Sequence, residues 1–373
     1  MFIARAPLRI SLAGGGTDLP AYYERYGGVV VSTTIDKFVY VHVMPNGAGN
    51  AQITSADYQT FYRHHCGTPM SWDGDLALPR AVLHEFEVEH GLALFLASEV
   101  PPGTGLGSSS AVAVALVRAV AAHLNRPITP REVAELACHV ELVKLRAPIG
   151  RQDQFAAAFG GLNMLSFSHD GVTVEPIQVS AEVSTSLERR LLLFFTGVAR
   201  DSATILREQQ RATARGEDQA VEGLHRIKDA AFRCRESLEA GDLDAIGMLL
   251  DEGWKQKRKL VAGITNGKID EIYDVARGHG ALGGKITGAG GGGFLLLYCH
   301  ESRQDAVTDA MEQLGLRRMD FHLHRSGVEL GQVSWDSLDR SGPADVRLAA
   351  LSHGQADDRR NAPELARESN ASR

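Results

Sequence analysis

Two early segments, FIARAPLRISLAG and GGVVVSTTIDKFVYVHVMP, are rich in β-branched and aromatic residues with partial alternation, a pattern that predicts two strands. Residues 110–124 are mostly Ala, Val and Leu, which predicts a buried helix. The following TPREVAELACHVELVKLR opens with a helix-start signature: Thr129 at the N-cap, Pro130 at the first helical position, and Glu132 placed to complete a capping box. Val133, Leu136, Val140 and Val143 then form an apolar stripe at helical spacing. RAPIGRQDQFAAAFGGLNMLSF reads as a loop, a short helix and a strand. From about Ser202 to Ile264 the chain is rich in Glu, Arg, Ala and Leu and is predicted largely helical, with Asp242 as N-cap of the last helix. A glycine-rich segment, ALGGKITGAGGGGFLLLYC, precedes a helix at Arg303 to Leu314 and a strand at MDFHLHRS.

After about Ser337 the composition shifts to Asp, Arg, Ser, Ala and Asn, so residues 338–373 are expected to form a disordered tail. The length, 373 residues, suggests two domains, and 44% hydrophobic with 23% charged residues is ordinary for a globular chain. A formal net charge of -7 argues against general nucleic-acid binding, which needs a basic face. Cys66, Cys138, Cys234 and Cys299 are far apart and form no CxxC pair, which fits free thiols in a reducing cytosol. No basic n-region with a long apolar h-region opens the chain, and no apolar run reaches membrane-spanning length; the longest helical one is broken by Arg118. The expectation is a cytoplasmic protein without a membrane partner. His64 and His65 are adjacent and no Cys or His completes a zinc set. No GxSxG motif or Ser–His–Asp arrangement stands out.

Three segments can carry chemistry. In PPGTGLGSSSA, Gly103, Gly105 and Gly107 allow backbone N–H groups to converge, and the predicted helix behind them adds unpaired N–H groups and a positive dipole end. The lysine of a Walker P-loop is missing, so the residues alone are compatible with a phosphate loop or with a glycine-rich turn capped by serine. In APLRISLAGGGTD, Arg9 is a cation inside an otherwise apolar strand that ends in glycines, Thr17 and Asp18; a ligand loop and a simple strand-end turn both fit. In KITGAGGGGF, the glycines exceed the needs of a hairpin and suggest a backbone pressed against a ligand.

Taken together and in this order, the three segments resemble the motifs of the GHMP kinases, a family that includes galactokinase, homoserine kinase, mevalonate kinase and phosphomevalonate kinase. The middle segment matches the family pattern PxxxGLGSSAA, with Ser110 where alanine is usual. Within the family, RISLAGGGTDLPAYY, GRQDQFAAAFGG and FFTGVARDSATIL look like the D-glycero-D-manno-heptose 7-phosphate kinases, with the bacterial fucokinases as close neighbours. The resemblance covers residues 1–337. It implies an α+β two-domain fold, with a ribosomal S5 domain 2-like N-terminal domain over residues 1–183, a ferredoxin-like C-terminal domain over 184–337, and an active site between them.

The resemblance also implies roles. Pro102, Gly103, Gly105, Leu106, Gly107, Ser108, Ser109 and Ser110 would bind ATP, with Ser109 and Glu141 as ligands of Mg²⁺. On the sequence alone Glu141 reads as a solvated helix residue beside the stripe, and only its spacing before GRQDQ promotes it. Asp153 matches the aspartate used as base or substrate anchor, and Arg9 takes the place of the family's cation. Leu8 stands where other branches carry glycine. Gly15, Gly16, Thr17 and Asp18 would meet sugar hydroxyls, and Gly288, Ala289 and Gly290 would close over substrate. Arg151, Arg200 and Ser202 would hold a phosphate already on the sugar, since arginine pairs two phosphate oxygens; heptose relatives often carry lysine at the place of Arg151. The implied reaction is phosphorylation of the anomeric hydroxyl of a heptose 7-phosphate to a 1,7-bisphosphate, for surface polysaccharide. A sugar 1-kinase of fucokinase type, a non-enzymatic sensor of ATP and sugar, and a mevalonate-branch decarboxylase are the alternatives. The partner is a small-molecule sugar phosphate, and a homodimer stays open as an assembly.

Overall fold

Strand β1 (Phe2–Ala13) and helix α1 (Pro20–Tyr26) lead into the long β2 (Gly28–Pro45), then β3 (Asn50–Ser55), β4 (Thr60–His65) and α2 (Ala77–Glu85). These are followed by β5 (Leu92–Ser98), α3 (Ser108–His123), α4 (Pro130–Cys138), α5 (Gln152–Phe159), β6 (Leu162–Ser168) and β7 (Gly171–Pro176). The second half comprises α6 (Ala181–Arg190), β8 (Leu191–Phe195), α7 (Ser202–Ala214), α8 (Asp218–Ala240), α9 (Leu243–Lys257) and α10 (Gly267–His279). It ends with β9 (Ala281–Ile286), β10 (Phe294–Cys299), α11 (Gln304–Gln313), β11 (Arg317–Arg318), β12 (Leu323–His324) and β13 (Glu329–Gln332). The computed structural model describes residues 1–65, 67–198 and 202–333. Cys66 and the tail expected from residue 338 onward lie outside the described residues.

The first sheet has the order β13-β1-β2-β5-β3-β4, with β12 and β6 also on β2 and β7 on β6. Its strands are antiparallel except for the parallel pair β3–β5. The predicted all-apolar helix is α3, and its Ala, Val and Leu side chains bury on all sides between the sheet and its neighbours. The second sheet, β11-β8-β10-β9, is antiparallel and covered on both faces. Leu191, Leu193, Phe294 and Leu296 join the larger core, whereas Leu192, Phe194, Leu295 and Leu297 join a second core with Trp254 and Tyr273. A strand buried on both faces reads as a continuous apolar run, which is what LLLFF and FLLLYC show. Because α8 and α9 also contribute Ala230, Leu238, Ile246 and Leu250 to the larger core, one continuous apolar mass spans both sheets.

The structure corrects three expectations. The strand expected over MDFHLHRS shrinks to the two-residue β12, which pairs Leu323 with Ile35 and His324 with Thr34 of the first sheet. Beyond it, β13 pairs with β1 along Phe2–Arg5, so the end of the second half returns to the first sheet rather than staying in a separate C-terminal unit. The stripe of α4 also fails at its end. Thr129 caps that helix as expected, accepting from the Glu132 backbone N–H while the Glu132 carboxylate accepts from that of Thr129. From His139 to Lys144, however, the helix widens to a π-helix. The wider turn rotates Val143 out to 60% exposure and carries Glu141 inward to 2%.

Candidate active site

Leu8 and Ile10 bury in the core, and Arg9 between them is itself only 4% exposed. A buried guanidinium needs a full set of acceptors. Arg9 Nε and Nη2 donate to the two carboxylate oxygens of Asp153, each at 2.8 Å, and Nη1 donates to the Gly105 carbonyl at 2.6 Å. The Arg9 backbone N–H donates to the Leu106 carbonyl at 3.1 Å. Asp153 lies in the first turn of α5, where the helix dipole favours its negative charge. Strand, glycine loop and helix thus meet at one ion pair.

The glycine loop runs into α3 through Gly103, Gly105 and Gly107, with φ of 76°, 85° and 78°. The N-cap of α3 is Gly107, and no side chain caps this end. The N–H groups of Ser108, Ser109 and Ser110 belong to the unsatisfied first turn of a helix, a ready anion site. The loop is pinned from below by the KITGAGGGGF segment. Phe294 N–H and Thr287 Oγ1 donate to the Thr104 carbonyl at 3.2 and 3.1 Å. A Cβ on Gly105 would stand 2.5 Å from the Thr287 carbonyl oxygen, and one on Gly288 would stand 2.7 Å from Gly105 Cα. Only glycine lets the two backbones approach this closely.

The π-helix brings Glu141 to the same place. Ser109 Oγ donates to Glu141 Oε1 at 3.2 Å, and Gln154 Nε2 donates to Glu141 Oε2 at 2.6 Å and to Ser110 Oγ at 3.1 Å. Burial pushes the Glu141 carboxyl up to about 7. A carboxylate buried with neutral partners beside an exposed serine hydroxyl is a donor set of hard oxygens that suits a small divalent cation completed by other oxygens.

These groups face a cleft of about 200 Å³ between the two halves of the chain. Of the residues singled out from sequence, Arg9, Gly16, Asp18, Gly103, Gly105, Gly107, Ser108, Ser109, Ser110, Glu141, Asp153, Ser202, Gly288 and Ala289 line it. Others stand back. Pro102 does not line the cleft, Gly15 lines a small neighbouring cavity, and Leu106 is fully buried. Thr17 is also fully buried, with its hydroxyl 2.8 and 2.9 Å from the Gly14 and Val29 carbonyls. It shapes the turn from within rather than meeting a ligand. Gly290 packs so tightly that a Cβ there would stand 2.7 Å from the Ile264 carbonyl oxygen. The Arg151 guanidinium turns away and lies 5.7 Å from the centre of the Phe155 ring. Arg200 lies outside the described residues.

Asp18 is almost fully buried on the cleft wall. Its Oδ1 accepts from the Gly16 N–H at 3.0 Å, and its Oδ2 accepts from the Gln152 N–H at 3.4 Å. Burial raises its carboxyl and the Asp153 charge raises it further, against the backbone hydrogen bonds.

Sequence reasoning missed Lys257 and Gln209, both buried in the cleft wall. Lys257 Nζ donates to the Gly288 carbonyl, and burial lowers its ammonium to about 8 from an ordinary 10.5, against the favourable charges of Asp18 and Asp153. In the unfolded chain Lys257 keeps its proton to higher pH than in the folded one. The unfolded state therefore binds more protons between the two values, and folding stability should rise with pH across that window. Denaturant melts from about pH 8 to about pH 10 should show the rise, to which Lys285, also lowered by burial, adds in the same direction, and Lys257→Met should make it smaller. Equal slopes in the two proteins would remove Lys257 as its source.

The GHMP kinases N terminal domain matches residues 77–161, and the GHMP kinases C terminal matches residues 234–315. The D-glycero-alpha-D-manno-heptose 7-phosphate kinase of Campylobacter jejuni subsp. jejuni serotype O:2 is 30% identical over 335 residues, covering 88% of this chain and 98% of that protein. The bifunctional fucokinase/GDP-fucose pyrophosphorylase of Arabidopsis thaliana is 25% identical over 316 residues, 80% of this chain but 30% of that protein. Among solved structures, a D-glycero-D-manno-heptose 1-phosphate kinase from Bacteriodes thetaiotaomicron superposes with a TM-score of 0.74 at 28% identity, covering 90% of this chain and all of that one. No helix among the described residues is long and apolar enough to cross a membrane.

Proposed function

The chain belongs to the GHMP kinase family and is an ATP-dependent sugar kinase, and from that premise we propose that it phosphorylates the anomeric hydroxyl of D-glycero-D-manno-heptose 7-phosphate. The product is the 1,7-bisphosphate, in the supply of nucleotide-activated heptose for surface polysaccharide. The observation that carries the reading is the Arg9–Asp153 pair facing an uncapped helix N-terminus across one cleft. The N–H groups of Ser108, Ser109 and Ser110, with the glycine loop before them, bind the polyphosphate of ATP. Ser109 and Glu141 hold Mg²⁺, which neutralises charge on the phosphates. Asp153 receives the proton of the attacking hydroxyl or orients that hydroxyl, and Arg9 holds the carboxylate in place through two hydrogen bonds. Asp18 and the Gly16 backbone meet the sugar. Phosphoryl transfer asks little else of a protein than such positioning and charge stabilisation.

One observation favours the alternative of a kinase for an unphosphorylated sugar. Among the described residues lining the cleft, Arg9 is the only arginine, and it is already paired with Asp153. The names of the relatives also differ in the carbon that bears a phosphate. Coupled ATP turnover should therefore be measured with heptose 7-phosphate, heptose 1-phosphate, the free heptose and fucose. We expect a saturable rate with the 7-phosphate and little with the others. Preference for a free sugar would replace this acceptor with the fucokinase-type one. Tight binding of ATP and sugar without ATP consumption would leave a sensor.

A further inference from the structure

Gln209 is fully buried, yet neither its amide nitrogen nor its carbonyl oxygen has a hydrogen-bond partner among the described residues. It lies on α7, whose Ser202, Leu206 and Gln209 recur at helical spacing and line the cleft together. The amide lies against Gly16, where a Cβ would come within 2.7 Å of Gln209 Nε2. Gly16, at φ 103°, thus leaves the side chain room to reach the wall that also holds Asp18. On that wall the buried Gln152 Oε1 is likewise unpartnered. Buried polar atoms are almost always satisfied, so those that are not call for a specific explanation.

We propose that Gln209 is a specificity-determining residue of the acceptor site, its carboxamide reading adjacent sugar hydroxyls through one donated and one accepted hydrogen bond. The inference rests on the sugar-kinase reading and adds to it the residue that selects the acceptor. A carboxamide offers a donor and an acceptor on one edge, and each sugar hydroxyl can serve as either, so a vicinal diol complements it in either amide orientation. An acceptor that supplies these partners satisfies both atoms. One lacking a hydroxyl leaves them buried and unpaired, which is how a polar site rejects a deoxy analogue far more strongly than an apolar pocket rejects an extra group.

The test is steady-state kinetics of the wild type and Gln209→Met with the preferred sugar and its monodeoxy analogues, together with the thermal midpoint of each free protein. Gln209→Met should raise the acceptor KM about tenfold or more and leave the nucleotide KM nearly unchanged. The penalty that the wild type imposes on one deoxy analogue should vanish in the variant. The midpoint of the free variant should hold or rise, because two unpartnered polar atoms leave the interior. An unchanged acceptor KM and unchanged analogue discrimination in an active variant would overturn the inference while the kinase reading stands. So would a lowered midpoint with equal losses on both substrates, the mark of a packing role. If Gln209→Met does not fold, Gln209→Glu carries the test: it keeps the shape and loses the donor, so discrimination against the same analogue should weaken, and full retention overturns the inference. A wild type that turns over no sugar at all removes the kinase reading and this inference with it.

Discussion

Asp153→Asn should lower turnover by about a hundredfold or more while leaving the affinity for ATP nearly intact, the range for losing a positioned base. The two effects separate because different atoms carry them. In the proposed reading the polyphosphate meets backbone N–H groups at the start of α3, which the substitution leaves in place. In the proposed mechanism the acceptor hydroxyl gives its proton to, or is oriented by, the Asp153 carboxyl, and an amide cannot take that proton. The substitution also sets an amide NH2 against a guanidinium that in the wild type donates to both carboxylate oxygens of Asp153. Arg9 is then left in the interior with fewer acceptors, so a lower thermal midpoint is expected beside the kinetic loss. Nucleotide titration of the folded variant and its single-turnover rate with the preferred sugar check the two halves of the statement. Turnover near that of the wild type would take Asp153 out of the mechanism.

Much of the site was legible because its parts lie in short, compositionally extreme segments. A run of glycines in KITGAGGGGF or PPGTGLG has few structural uses, and both are used here for close backbone approach. The strands β1 and β2, the capping box at Thr129 and the N-cap at Asp242 follow from local rules that tertiary packing did not override. Glu141 shows where such rules end. A stripe read at 3.6 residues per turn places Val143 inside and Glu141 at the edge, and one π-helical turn exchanges them. The family resemblance, not the periodicity, had singled out Glu141.

Lys257 and Gln209 were illegible for a different reason. Each lies in a helix that carries several charged and polar residues, and one buried polar residue among them has no compositional mark. Trp254, one turn before Lys257, does signal that this face of α9 is buried. The returning strand β13 was missed because VELGQV is short and lies at the sheet edge, where burial imposes little alternation.

Gly105→Ala should cost more than any other single methyl group added to the loop, because two separate penalties fall on one atom. The left-handed conformation at φ 85° costs an alanine about 1–2 kcal/mol. The new Cβ would also stand 2.5 Å from the Thr287 carbonyl oxygen and 2.8 Å from its carbon, and these are backbone atoms that cannot rotate away. Thr287 is held in turn by its hydroxyl on the Thr104 carbonyl, so relief requires the two glycine loops to part. Parting them moves the Gly105 carbonyl that Arg9 Nη1 holds, and with it the register of Arg9 against Asp153. We therefore expect a lower thermal midpoint, a nucleotide KM raised about tenfold or more, and turnover reduced by about a hundredfold, since small misplacements of reacting groups carry losses of that order. Gly91→Ala is the control: its φ is 82°, but a Cβ there meets nothing within 4 Å. It should show the conformational penalty alone, with kinetics unchanged. If the two variants lose the same stability and both keep wild-type kinetics, the contact between the loops does not position the reacting groups, and the case for backbone-held phosphates beside an aligned Asp153 loses its support.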